Sequence, residues 1–140
     1  MSSHPSDTAI EAAIRRAEAS TSAEVRVVIT RHAPDAATAD AEARRHFDRL
    51  GMVRTPLRNA VLLFLAPASR QLALAADESV RFRLGAAFPD AIQRAAAPWL
   101  PTDPHQAVVA AIDAAAVLLS RHFPRSGLDR DDFPNAVLRD

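Results

Sequence analysis

Apolar positions switch between a helical and a strand period several times along the chain, and the order of the switches outlines a fold. Ile10, Ala13, Ile14 and Ala17 recur at helical spacing, with Glu11 placed to pair with Arg15 on the polar side. Thr8 and Glu11 make a Thr-x-x-Glu capping box at the start of that run, which predicts a helix over about 8–20. The β-branched run Val25-Arg26-Val27-Val28-Ile29-Thr30 predicts a strand. Ala36, Ala39, Ala43, Phe47 and Leu50 then form one apolar stripe, with Asp40, Arg44, Asp48 and Arg49 off it, and Gly51 stops the helix.

Residues 60–66 are continuously apolar and 71–75 alternate, separated by Pro67-Ala68-Ser69-Arg70, which predicts a β-hairpin with a four-residue loop. Helical patterning returns over 80–84, breaks at Gly85, resumes over 87–97 and closes at Pro98. Asp103-Pro104-His105-Gln106 supplies an N-cap, a first-position proline and a second capping box ahead of the stripe Val108, Ala111, Ile112, Ala115 and Leu119. The order α-β-α-β-β-α-α has a helical crossover between the first two strands, so it predicts an α/β domain with a small mixed sheet and helices packed on it. The inward positions are expected to be Ile14, Val27, Ile29, Phe47, Val61, Leu63, Leu72, Leu74, Ile112 and Leu119. One domain is expected over 8–124. From Pro124 onward Pro, Arg, Asp and Gly dominate, so 125–140 reads as a polar surface tail, and a chain cut after Arg125 is expected to stay folded.

Composition narrows the chemistry. All 17 basic residues are arginine, which removes Schiff-base, pyridoxal-phosphate and P-loop lysines. No cysteine is present, which removes thiolate nucleophiles, disulfides, iron–sulfur clusters and Cys-bound zinc. Arg and Asp plus Glu balance at 17 each, so the chain has no overall attraction to nucleic acid, and no such partner is expected. The first residues lack a basic and an apolar signal region, and the longest apolar run, 60–68, is far short of the roughly 20 residues that cross a bilayer. A cytoplasmic chain without an integral membrane segment is expected.

The three glycines, Gly51, Gly85 and Gly127, cannot compose a phosphate-binding GxGxxG or GxxxxGK[ST] loop, and no organic cofactor is expected. No serine sits in a Gly-x-Ser-x-Gly elbow. Asp129-Arg130-Asp131 reads as tail, and His46 and His122, each before a phenylalanine on a helix, read as partly buried packing residues. The topology makes one sharper suggestion. If the first two strands are parallel, their N-terminal ends and the end of the third strand lie on one edge, so Glu24, Asn59 and Asp77 converge there, with Arg58 and Glu78 nearby. Oxygen ligands of that kind suit a hard cation such as Ca²⁺ or Mg²⁺. Structural roles suit them as well, with Asp77 or Ser79 capping the next helix and Glu24 pairing with Arg58.

The chain also resembles the TPM domain family. The likeness lies in Thr21-Ser22-Ala23-Glu24-Val25-Arg26-Val27-Val28, Arg58-Asn59-Ala60-Val61-Leu62, Ala66-Pro67-Ala68-Ser69-Arg70 and Ala76-Asp77-Glu78, and in a tail with Arg121-His122-Phe123-Pro124-Arg125, Asp129-Arg130 and Pro134. The resemblance implies a three-layer α/β/α sandwich, in some members a divalent cation at the sheet edge, and a phosphatase label. Glu24, Asn59 and Asp77 match acidic or amide positions of the family. The sequence departs from the family where Ala60 and Ser79 replace glycines and where Phe88-Pro89 replaces a Phe-Trp pair. The resulting expectation is a non-catalytic module that binds a cation or an unidentified protein partner. The alternative is a divalent-metal-dependent, phosphatase-like hydrolase.

Overall fold

The computed structural model describes residues 5–125 and 137–140. Nine elements follow in chain order: α1 (Pro5–Ser20), β1 (Val25–Ile29), α2 (Ala36–Arg49), β2 (Val61–Ala66), β3 (Gln71–Ala76), α3 (Glu78–Leu84), α4 (Ala87–Ala96), α5 (Pro104–His122) and β4 (Leu138–Arg139). Local chemistry sets most of the boundaries. Asp35 caps α2 by accepting from the Thr38 amide at 2.8 Å, and Asp103 caps α5 by accepting from the Gln106 amide at 3.2 Å. Gly51 takes a left-handed φ of 70° just past α2, a conformation that a side chain disfavours. The expected box at Thr8 is not a cap, because α1 begins at Pro5 and Thr8 lies inside it.

The sheet order is β3-β2-β1-β4. β1 and β2 are parallel, with Val25 opposite Val61 and Ile29 opposite Leu65, and β2 and β3 are antiparallel, with Val61 opposite Ala76. Alternation along the strands feeds two cores. Val25, Val27, Ile29, Val61, Leu63 and Leu65 meet α1, α4 and α5 on one face. Val28, Leu62, Phe64, Ala73 and Ala75 meet Ala39, Ala43 and Phe47 of α2 on the other. The result is an α/β/α sandwich, with both faces of the central strands buried, as the unbroken apolar run of β2 requires.

β3 forms one margin of the sheet. Its Leu72 carbonyl accepts from Gln93 Nε2 at 2.6 Å, and its Ala76 carbonyl accepts from Arg44 Nη2 at 3.0 Å. These side chains reach in from opposite helical layers and occupy backbone groups that would otherwise recruit another strand.

The surface tail expected over 125–140 is corrected at its far end. Leu138 and Arg139 pair in parallel with Val28 and Ile29, making a fourth strand. Its side chains alternate between the layers: Val137 packs on the first core and Leu138 on the second. Arg139 Nη2 donates to Asp7 of α1 at 2.6 Å, while Asp140 Oδ2 lies 2.9 Å from Nε2 of His46 on α2. Two strand residues are too few to show a period of two, which is why the pattern hid them. Asp129-Arg130-Asp131 lies outside the described residues. Of the two histidines expected to be partly buried, His46 is buried and stacks on Phe64 at 5.5 Å, whereas His122 is exposed at the end of α5.

Candidate functional site at the sheet edge

The register sets Val25, Val61 and Ala76 in one row, so Glu24, Asn59 and Asp77 all stand at the same edge of the sheet. Backbone hydrogen bonds carry the ladder past the strand ends: Val61 N donates to Glu24 O at 2.8 Å, and Asp77 N donates to Ala60 O at 3.0 Å. All three site residues are buried. Asn59 Nδ2 donates to Ser22 Oγ at 3.2 Å, joining the loop before β2 to the loop before β1.

Asp77 is the most heavily engaged of the three. Its Oδ1 accepts from the Glu78 amide at 2.8 Å, which caps α3, and from Arg58 Nη2 at 3.0 Å. Its Oδ2 accepts from Arg58 Nε at 2.9 Å, so the guanidinium grips the carboxylate with two parallel bonds. Arg58 Nη1 also lies 3.5 Å from Glu78 Oε1. Thus Asp77 takes the capping role, and Arg58 pairs with Asp77 and Glu78 where the sequence had suggested Glu24. Arg58 itself has a left-handed φ of 53°, strained for a residue with a side chain and held by the turn from Thr55 and by Ser79 N donating to its carbonyl.

Two buried groups behind this edge were not singled out from the sequence. Glu18 Oε2 accepts from the Val25 amide at 3.0 Å, tying α1 to the start of β1. Arg26 is buried close to Glu24 and Glu18; burial lowers its pKa, and the two carboxylates act in the opposite direction. An alternating strand with one arginine gives no sign that its charge will be internal.

Among the described residues, no group of three or more His, Cys, Asp or Glu side chains is placed to hold a metal ion. Both Asp77 oxygens already accept hydrogen bonds, and the cation beside them is Arg58.

The electrostatics predict an acid response. Burial raises the pKa of Asp77, but the Arg58 and Glu78 hydrogen bonds, with the charges of Arg58 and Arg44, outweigh it and hold the carboxyl below its ordinary value. Asp140 follows the same logic: burial is overcome by hydrogen bonds from Thr30 and His46 and by the charges of His46 and His32. A carboxyl depressed in the folded state contributes stability above its unfolded pKa of about 3.9 and loses it as pH falls through the lower folded value. The denaturant midpoint should therefore fall below about pH 4. The double variant Asp77→Asn/Asp140→Asn should show a shallower fall, and equal slopes would mean that neither carboxyl is coupled to folding.

The fold, two parallel strands and a hairpin strand between helical layers, has relatives. Residues 3–118 match the TPM domain. The chain belongs to the TPM domain family. The solution structure of the BA42 protein from the psychrophilic bacterium Bizionia argentinensis is similar to this TPM domain with a TM-score of 0.86 and 27% identity, covering 96% of this chain and 92% of that one. The N-terminal domain of cg2496 from Corynebacterium glutamicum shares the fold, with a TM-score of 0.66 and 21% identity over 96% of this chain and 84% of that one. Curated proteins provide no match. The TPM domain has no helix, among its described residues, long and apolar enough to cross a membrane.

Proposed function

We propose that this TPM domain is a non-catalytic binding module whose working face is the edge bearing Glu24, Asn59 and Asp77. The state of Asp77 supports this reading. In a metal-dependent hydrolase this carboxylate would have to act as ligand, base or nucleophile, yet Arg58 and the Glu78 amide engage both of its oxygens. Its lowered pKa also makes it a poor proton acceptor near neutrality. The same reading keeps the chain cytoplasmic, and its zero net charge supports the absence of a nucleic-acid partner. Purified protein given generic phosphate esters with Mg²⁺, Mn²⁺ or Ca²⁺ should show no turnover. Turnover that Asp77→Asn abolishes would overturn the module reading in favour of the hydrolase.

Ca²⁺ or Mg²⁺ enters this reading as a competitor of Arg58. With few carboxylates, the edge would bind such an ion with a dissociation constant on the order of 10⁻⁴–10⁻³ M. Millimolar Ca²⁺ should raise the Tm of the Arg58→Ala protein more than that of the parent, since a ligand bound only to the native state stabilises it. Asp77→Asn should remove the shift in both. If Arg58→Ala gains no response to either ion, by melting or by calorimetric titration, the edge is not a cation site.

A further inference from the structure

The zero net charge of the chain conceals a local imbalance beside the proposed face. Phe82 is 91% exposed, whereas Phe47, Phe64, Phe88 and Phe123 are all buried. It lies on α3 between two exposed arginines, Arg81 and Arg83, so the helix presents Arg-Phe-Arg to solvent. Open apolar hollows border the helix on either side. One, of about 330 Å³, is lined by Leu74, Val80, Arg81, Phe88 and Pro89 among others. The other, of about 230 Å³, is lined by Leu57, Arg83, Phe123 and Pro124 among others. Phe82 thus stands on a ridge with a hollow to each side.

Arg83 fixes the position of this ridge. Its guanidinium lies 5.0 Å above the Phe123 ring and donates to the His122 carbonyl at 3.3 Å, which ties the ridge to the end of α5. Leu57, 45% exposed, adds a second apolar side chain at the hollow that Arg83 lines. The acidic group on the same helix, Glu78, is turned to Arg58. Arg81 and Arg83 therefore flank Phe82 on α3, with Leu57 at the hollow that Arg83 lines.

From this placement we propose that the α3 ridge docks on an anionic lipid surface, with Phe82 entering the headgroup–acyl boundary and the arginines contacting lipid phosphates. A projecting aromatic has no wall of its own protein to complete a pocket, so it suits a deformable apolar layer better than a rigid protein surface. Lipid-facing basic groups are worth about a fivefold change in binding each, and one aromatic with two arginines gives weak, reversible, salt-sensitive attachment. The proposal rests on the reading of the chain as a binding module; vesicle binding tests the lipid, while the phosphate-ester assay tests that reading separately.

Full-length protein is sedimented with vesicles of equal parts phosphatidylglycerol and phosphatidylcholine, and with phosphatidylcholine alone, at roughly 0.05 M and 0.5 M salt. Binding is expected on the anionic vesicles at low salt, with little on the neutral vesicles or at high salt. Phe82→Ser should weaken it about tenfold or more, from the apolar area withdrawn, and Arg81→Ser about fivefold. Because Phe82 is so exposed, Phe82→Ser should leave the Tm unchanged, which separates lost docking from lost folding. Absence of binding to anionic vesicles, equal binding to neutral ones, or a Phe82→Ser protein that binds like the parent would each overturn the proposal.

Discussion

Phe47→Ala should lower stability by about 3–5 kcal/mol, read as a drop in the denaturant midpoint with an unchanged slope. Phe47 is fully buried in the second core, where α2 covers its face of the sheet. Its ring lies 4.8 Å beneath the Arg44 guanidinium, and Arg44 in turn holds the Ala76 carbonyl at the margin of β3. The core that holds the ring includes Ala39, Ala43, Ala73 and Ala75, short side chains that cannot extend to refill its space. Phe82→Ala supplies the control, since an exposed ring should change stability by less than about 0.5 kcal/mol. Equal midpoints for the Phe47→Ala and parent proteins would mean that α2 presents another face to the sheet.

Removal of residues 137–140 should have an effect of similar size. Losing the half-buried Val137 and Leu138 removes apolar burial worth about 1–2 kcal/mol each. Losing Asp140 leaves buried His46 without its 2.9 Å partner, a further cost of about 1–3 kcal/mol. The shortened protein should melt well below the parent, and Asp140→Asn should recover only the part that does not depend on charge. A shortened protein with the parent's midpoint would mean that β4 is an ornament, as the polar composition of the segment first suggests.

The contrast between β4 and the other strands shows what the sequence could and could not reveal. Runs of five or six apolar or alternating residues made β1, β2 and β3 visible, and the helical stripes gave each helix its inward side. Nine of the ten expected core positions are buried, and the tenth, Leu74, is partly buried on β3 at the margin of the sheet. The meeting of Glu24, Asn59 and Asp77 was legible because a parallel crossover followed by a hairpin admits one arrangement of strand ends. The clamp of Arg58 on Asp77 was not. It depends on a left-handed backbone at Arg58 that aims the guanidinium toward β3, and an arginine at that position carries no sequence mark of such a turn.

The late arrival of β4 has a consequence for biosynthesis. Every element from α1 to α5 is synthesised before Leu138 and Arg139, yet the margin of β1 that they pair with comes early in the chain. Before β4 is in place, His46 lacks its Asp140 contact and the domain carries an open strand margin at β1, whereas the margin of β3 has Gln93 and Arg44. An open margin is where chains associate wrongly before folding is complete. A chain arrested before Leu138 should therefore leave that margin of β1 open and in need of a chaperone.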